Sequence, residues 1–214
     1  MVSPRLRRLA TALDPATRGW VVVVAGNLAR LALGFIASTL IARALGPAVF
    51  GIFATLGALA SVVGAVADLG LNDAAVRRIA AAWPGDPAAA RRRGVAYVWL
   101  RLGATALVVG AGGLLATLVG ARLLGLPLGG LLLALLGVAA TALSGAVAAL
   151  LQATGHFGRL SLVALTNAAL TAVLAVALTL AGRLTLTTAL AVLGIATALA
   201  ACAVGIRLLP TGWA

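Results

Sequence analysis

The chain has 214 residues, of which 63% are hydrophobic and only 9% are charged. Soluble domains hold about 45–50% apolar and about 25% charged residues, so this chain has too little polar surface for a water-soluble globule and is predicted to be an integral membrane protein. Its 16 basic and 4 acidic residues give a net charge of +12. The basic residues are scattered between apolar segments, which argues against the continuous water-facing patch that binds nucleic acid.

Six segments are long and apolar enough to cross a membrane as helices, which takes about 20 residues each. In chain order, the predicted spans are 20–44, 48–70, 94–119, 127–151, 157–181 and 185–208. Glycine and proline residues punctuate the gaps between them. The predicted fold is therefore all-α and polytopic, with six transmembrane helices.

The segments around these spans define the predicted organisation of the chain. Residues 1–19 form a basic N-terminus, residues 20–209 the six-helix lobe, and residues 210–214 a short tail at which we expect the chain to be truncated. Arginine is abundant on alternate connections: Arg5, Arg7, Arg8, Arg18, Arg77, Arg78, Arg91, Arg92, Arg93, Arg159 and Arg207. The other connections carry only Arg43, Arg122 and Arg183. Because cytoplasmic loops carry the excess of basic residues, both termini are predicted to be cytoplasmic.

The longest connection, residues 71–93, is predicted to contain a short amphipathic helix. Asn72 is expected to cap its start. Ala75, Ile79 and Trp83 recur at the four-residue spacing of one helix face, which we expect to lie on the inner membrane surface. The arginines of this connection are interpreted as topogenic residues that bind anionic lipid headgroups; they are Arg77, Arg78, Arg91, Arg92 and Arg93.

The first span carries a charge near its middle. Counting about 1.5 Å per residue from Trp20 places Arg30 near the centre of the bilayer. A charge there costs about 2.5–3.5 kcal/mol on the milder insertion scales, so such residues face a protein interior or a water-filled cavity. Asn27, Gly34 and Ser38 lie on the same helix face, at spacings of three and four residues. We therefore predict a substrate cavity lined by Arg30, Asn27 and Ser38, with close packing on another helix as the alternative.

Three more polar residues fall inside predicted spans, and each has two interpretations. Arg101 either extends to the cytoplasmic surface or adds a second positive charge to the cavity. Asn167 either lines the cavity or forms a hydrogen bond between helices. Asp68, the only acidic residue within a span, is a candidate site for a coupling proton or sodium ion. Alternatively, it forms an ion pair with Arg101 or Arg77.

The chain lacks the residue sets of common enzymes. It contains no histidine–carboxylate pair, no GxSxG motif and, because it has no lysine, no phosphate loop of the GxxxxGK type. Its single cysteine, Cys202, lies in an apolar run and has no partner thiol for a disulfide or metal site. We expect no enzymatic activity, no cofactor and no bound metal ion.

Residues 34–79, GFIASTLIARALGPAVFGIFATLGALASVVGAVADLGLNDAAVRRI, resemble the opening of bacterial polysaccharide flippases of the MOP superfamily. Those proteins typically have an ARxLGPxxFG-like turn after the first span and a DLGL sequence at the end of the second. Here the turn reads ARALGPAVFG, and DLGL begins at Asp68. Residues 150–163, LLQATGHFGRLSLV, are similar to the family's turn between the fourth and fifth helices.

The resemblance implies a function. Such flippases turn a polyprenyl-diphosphate-linked oligosaccharide from the inner to the outer leaflet of the bacterial inner membrane, by alternating access between two six-helix lobes. Their products supply lipopolysaccharide or exopolysaccharide synthesis. Arg30 would then attract the diphosphate. The chain resembles one lobe, so the implied partners are a second six-helix lobe, as the remainder of a longer protein or as a paired copy, and glycan polymerases or glycosyltransferases.

Two other functions stay open at this point. A drug–cation antiporter of the same superfamily is expected to have more embedded carboxylates and more aromatic residues than the 4% of this chain. A membrane scaffold that recruits glycan-polymerising enzymes, or an inactive single lobe, would not need the charge of Arg30.

Overall fold

The computed structural model describes residues 15–120 and 125–209 of the chain, and the elements of this part are all helical. The helices are α1 (Pro15–Asp68), α2 (Leu71–Ala82), α3 (Pro87–Leu115), α4 (Leu128–Ala153), α5 (Phe157–Leu180) and α6 (Leu186–Leu199). A π-helical turn, Ala116–Gly120, extends α3; a second, Ala200–Gly205, and a 3-10 turn, Ile206–Leu208, extend α6. The first 14 residues, Arg122 and the predicted tail lie outside the described residues.

A break at Gly46 divides α1 into two arms. Gly46 has φ 72° and ψ 166°, which interrupts the helix between residues 15–45, the N-terminal arm, and residues 47–68, the C-terminal arm. The apolar part of α1, Val24–Asp68, has 45 residues. This is about twice the length needed for one crossing of the hydrocarbon core. The break therefore makes two spans of α1, and the five sufficiently long and apolar helices of the described residues supply the six predicted crossings.

The N-terminal arm of α1 packs against α5 in a parallel orientation. Near the start of both helices, Gly26 lies beside Ser161: a Cβ on the glycine would be 3.4 Å from the serine Cβ. Further along both helices, Ile41 and Ala175 belong to one buried cluster. Residue numbers therefore rise in the same direction on the two helices.

The C-terminal arm of α1 packs against α4, also in a parallel orientation. Leu56 contacts Gly130, and Gly64 lies beside Val138. A turn with Gly155 in the left-handed conformation (φ 75°) joins α4 to α5 and reverses the chain. The two arms of α1 are consequently antiparallel, as two successive membrane crossings must be. The predicted all-α fold with six crossings is confirmed.

One end of this bundle holds most of the arginines. It contains the start of α1, all of α2, the start of α3, the α4–α5 turn and the end of α6, and we call it the basic end. Its described arginines are Arg18, Arg77, Arg78, Arg91, Arg92, Arg93, Arg159 and Arg207. The opposite end has Arg43 and Arg183 among the described residues. The fold thus gathers the arginines of alternate connections at one end.

Helix α2 packs against the bundle with its apolar face. Ala75 and Ile79 are 6% and 0% exposed, in a cluster that includes Tyr97 of α3 and Leu150 of α4, and Trp83 packs against the same cluster. The amphipathic helix predicted for this connection is present. The prediction that its apolar face lies on the membrane surface is wrong, because that face covers α3 and α4.

Asn72 does not cap α2. The N-cap residue is Gly70, in the left-handed conformation (φ 76°), and no side chain bonds to the first turn. The predicted cap is wrong because α2 already begins at Leu71, which places Asn72 inside the helix. Its Oδ1 instead accepts a hydrogen bond from the hydroxyl of Tyr97 on α3.

Replacing Gly46 with alanine is expected to lower the free energy of unfolding by about 1–3 kcal/mol, because positive φ combined with ψ near 180° is open essentially to glycine alone. A Cβ at this position meets no atom within 4 Å, so the loss reports backbone strain. Gly57→Ala is the matched control: its site is helical and its Cβ also meets nothing within 4 Å. Denaturant unfolding in detergent measures both, and equal stability of the two variants would contradict the prediction.

Candidate functional site

An open groove runs between the N-terminal arm of α1 and the middle of α5. Its volume is about 490 Å³. The lining residues are Arg30, Leu31, Gly34, Phe35, Ala164, Asn167, Ala168 and Thr171. Small residues line both sides of the groove, with Gly34 on α1 and Ala164 and Ala168 on α5, and their short side chains leave space between the helices.

Arg30 lies in this groove at the depth of the middle of α5. The α5 residues that line it, 164–171, are central in a helix of 24 residues. The arginine is exposed on the surface of the bundle. The ion pairs among the described residues are Arg92–Asp86 and Arg101–Asp68, so no described carboxylate neutralises Arg30. The structure therefore places a guanidinium without an acidic partner in the described part of the chain, halfway along the helices.

Asn27 and Ser38 lie on the same arm as Arg30 but outside the lining of the groove. Both are exposed, Asn27 towards the basic end and Ser38 towards the opposite end. The Ser38 Oγ donates a hydrogen bond to the Gly34 carbonyl oxygen at 2.8 Å, within its own helix. These residues continue an exposed polar strip of the arm, with Arg30 between them.

Asn167 lines the groove opposite Arg30 and also connects two helices. The Oγ1 of Thr197 on α6 donates a hydrogen bond to the Asn167 Oδ1 at 3.3 Å. The Thr171 Oγ1 donates to the Asn167 backbone carbonyl oxygen at 2.9 Å. The interhelical hydrogen bond, one of the two interpretations of this residue, is thus present, and it fixes the amide beside the groove.

Arg101 and Asp68 form an ion pair away from the groove. The Arg101 Nη1 lies 2.7 Å from the Asp68 Oδ1 and donates a hydrogen bond to the Ala67 carbonyl oxygen at 2.9 Å. Arg101 is 5% exposed. The pair joins α3 to the C-terminal arm of α1, whereas the groove lies between the N-terminal arm and α5. The structure does not bring Arg101 together with Arg30, and it shows the ion-pair alternative for Asp68.

A second groove lies between the C-terminal arm of α1, α4 and α6, with a volume of about 390 Å³. Its lining contains no charged residue and consists mainly of small and apolar side chains such as Gly57, Gly137 and Gly194. Close approach of small residues is the usual basis of helix packing in membranes. The groove beside Arg30 is therefore the better candidate for a polar ligand.

A family model described as "Polysaccharide biosynthesis protein" matches residues 16–210, which include both arms of α1, the groove and the ion pair. The chain belongs to this family. The family comprises polysaccharide flippases of the MOP superfamily, so the resemblance predicted from residues 34–79 is confirmed. Comparisons with curated proteins and with solved structures give no significant match.

In this member of the flippase family, the five predicted headgroup arginines lie together at the basic end. Arg77 and Arg78 are exposed on α2, and Arg91, Arg92 and Arg93 are exposed on the first two turns of α3. They lie far along the helices from the groove beside Arg30, because that groove is level with the middle of α5. The residues predicted to contact lipid headgroups and the residue predicted to contact the substrate, Arg30, therefore lie in two separate regions.

Sequence reasoning missed two members of the polar cluster around the ion pair. Tyr97 is 6% exposed and donates its hydroxyl hydrogen to Asn72. This contact joins α2 to α3, one helical turn before Arg101 on α3. The available signal was spacing: Tyr97 precedes Arg101 by four residues and therefore shares its helix face. The contact of Asn72 with α3 was not predicted, because asparagine is also a typical helix-capping residue.

Proposed function

We propose that this chain moves a lipid-linked oligosaccharide, borne on a polyprenyl diphosphate, across the bacterial inner membrane for lipopolysaccharide or exopolysaccharide synthesis. In this proposal it acts as a transporter by alternating access and catalyses no chemical reaction. The single observation that carries the proposal is Arg30, a mid-depth guanidinium in an open groove with no described acidic partner. Membership of the flippase family supports it.

The physical requirement is a polar path for the headgroup. A sugar or phosphate stripped of water costs several kcal/mol per polar group in hydrocarbon, so an unaided flip is very slow. A guanidinium offers paired N–H donors that match phosphate oxygens and carries a permanent positive charge. Arg30 would contact the diphosphate midway, while Asn27, Ser38 and Asn167 supply hydrogen bonds to the glycan above and below it.

The proposal includes a second lobe that covers the groove. A charge at mid-depth is not stable against acyl chains, and the groove opens at the surface of the described bundle. A second six-helix lobe, as further sequence or as a paired copy, would close a water-filled cleft over the Arg30 side. Glycan polymerases or glycosyltransferases are proposed as additional partners that supply and consume the carried lipid.

We propose that the basic end faces the cytoplasm, which places both termini there. The basic end has eight described arginines against two at the opposite end, and retention of positive loops on the cytoplasmic side is the general rule. The groove would then receive its lipid from the cytoplasmic leaflet.

Drug–cation antiport is less compatible with this arrangement. A cationic drug would meet the like charge of Arg30 in the groove. Asp68, the candidate coupling residue, already lies 2.7 Å from the Arg101 Nη1. A proton or sodium ion would therefore have to displace an arginine from this carboxylate, and we retain Asp68 only as a candidate coupling site within the flippase proposal.

Arg30→Gln tests the proposal. Charge-assisted hydrogen bonds contribute about 1.5–3 kcal/mol, so we expect surface glycan export to fall roughly ten- to a hundred-fold. Arg30→Lys keeps the charge and should retain part of the activity. The measurement is the amount of surface polysaccharide in cells that carry the variant as their only copy of the gene. It is normalised to the amount of the protein in the membrane.

Arg183→Gln is the control for this experiment, because it removes the same charge from the exposed opposite end, outside the groove. It should leave export unchanged. Full export by Arg30→Gln would contradict the proposed role of Arg30. It would favour the alternative function as a membrane scaffold, which needs no charge at mid-depth.

A further inference from the structure

We propose that the outer face of α3 at the basic end binds an anionic phospholipid. An open hollow of about 540 Å³ lies there. Its lining residues are Ala88, Arg91, Arg92, Val95 and Ala96. Arg91 and Arg92 are followed along the helix by the apolar Val95 and Ala96, which gives the hollow an amphipathic character. We call the surface of Arg91, Arg92, Val95 and Trp99 the α3 lipid face.

The order of residues along α3 matches the order of groups in a phospholipid. Val95 follows Arg91 by four residues, and Trp99 follows Val95 by four, so these side chains lie on one side of the helix. Val95 is 54% exposed and Trp99 is 72% exposed. A phosphate at the arginines would leave its acyl chains lying along Val95 and Trp99. Tryptophan is also enriched at the depth where headgroups meet acyl chains.

An acidic neighbour of Arg92 offsets its charge only weakly. Arg92 lies 4.0 Å from Asp86, and both side chains are largely exposed, at 73% and 58%. Such an exposed ion pair contributes little to the free energy of folding. Asp86 has a second task, because its Oδ1 accepts a hydrogen bond from the Ala89 backbone N–H at the start of α3. The carboxylate therefore serves the helix end more than it neutralises the arginine.

Helix α2 adds to the same positive field. The Arg93 Nη1 donates a hydrogen bond to the Arg78 carbonyl oxygen at 2.9 Å, which ties α2 to α3 at this point. Arg77 and Arg78 are exposed on α2. The described residues of this region include five arginines and two acids, Asp73 and Asp86. A lipid phosphate at the α3 lipid face would thus lie beside a surface with a net charge of +3.

The occupant we infer is a lipid of the surrounding bilayer rather than a soluble phosphate compound. The hollow is open at the side of α3, and three of its five lining residues are apolar. Soluble phosphate would gain nothing from Val95 or Trp99. An anionic lipid gains from both ends, with an expected preference over a neutral lipid of about five-fold for each basic residue near the surface.

Fluorescence quenching of Trp99 tests this inference. A variant with Trp20, Trp83 and Trp213 changed to phenylalanine retains Trp99 as its one tryptophan, since the chain has four. It is reconstituted in vesicles that contain either brominated phosphatidylglycerol or brominated phosphatidylcholine, at the same mole fraction. We expect a several-fold excess of quenching by the brominated anionic lipid, decreasing at high salt.

Matched variants make the result specific. Arg91→Gln with Arg92→Gln should abolish the excess, Arg91→Lys with Arg92→Lys should keep most of it, and Arg43→Gln with Arg183→Gln should leave it unchanged. Equal quenching by the two lipids would overturn the inference, as would an excess that survives the double glutamine variant. Loss of the excess on addition of inorganic phosphate, at constant ionic strength, would assign the arginines to a soluble anion instead.

Discussion

Asp68→Asn is expected to lower the free energy of unfolding by about 3–5 kcal/mol, the range for removing one partner of a buried ion pair. Arg101 is 5% exposed, and without the carboxylate charge its guanidinium keeps the Ala67 carbonyl oxygen as its described acceptor. Arg101→Met is expected to cost less, because the charge left behind is on Asp68, whose side chain is 27% exposed and accessible to water. Denaturant unfolding in detergent measures both variants.

The double variant Asp68→Asn with Arg101→Met distinguishes coupling from two independent losses. It leaves no buried unpaired charge and should therefore recover part of the stability lost by Asp68→Asn alone. Asp73→Asn is the control, since this acid is exposed in the first turn of α2 and its interaction with the helix dipole contributes at most about 1 kcal/mol. Strict additivity of the two single losses would contradict the predicted coupling.

The crossings were predictable because apolar composition dominates the free energy of inserting a helix. The first residue of a helix was less predictable where polar residues extend the helix beyond its apolar span. The third span was predicted to begin at residue 94, whereas α3 begins at Pro87. Asp86 and Pro87 are a strong start signal, with the acid as N-cap and proline in the first turn. Hydropathy missed this start because the intervening arginines are polar.

The neighbours of each helix were not predictable from the sequence. Most faces of these helices are apolar, so periodicity does not indicate which face meets which partner. The pairing of Arg101 shows the difficulty. Asp68 lies 33 positions earlier in the chain, and the sequence predicts the depth of each side chain in the membrane only to within a few residues. In the structure, two contacts define the register of α3 against its neighbours. Tyr97 bonds to Asn72 on α2, and one helical turn deeper Arg101 pairs with Asp68 on the C-terminal arm of α1.

Arg30 was predictable as a special residue, but its surroundings were not. Its depth follows from counting residues along one helix, and the cost of a charge in hydrocarbon then demands an explanation. That Asn167 would lie opposite it required the parallel packing of α5 on the N-terminal arm. Nothing in either segment alone encodes this packing, since glycine and alanine occur on many helix faces of this chain.

Cysteines in the groove beside Arg30 are expected to react with a membrane-impermeant maleimide on the order of 10²–10³ times faster than cysteines on lipid-facing surfaces, because the reactive thiolate does not form in hydrocarbon. Gly34→Cys is the test position, since a Cβ there meets nothing within 4 Å. Asn27→Cys extends the test along the same arm. The background is Cys202→Ala, because Cys202 is an exposed free thiol.

Exposure of the bundle surface alone does not predict this difference, which is why the controls are decisive. Val173 on α5 is 63% exposed and Leu107 on α3 is 75% exposed, yet neither lines the groove. Both should react slowly in intact membranes if acyl chains cover them. Rapid labelling confined to Gly34→Cys and Asn27→Cys would show that water reaches Arg30. Equally slow labelling at all four positions would place the groove in lipid or dry protein. That result would contradict a water-filled path for a diphosphate beside Arg30.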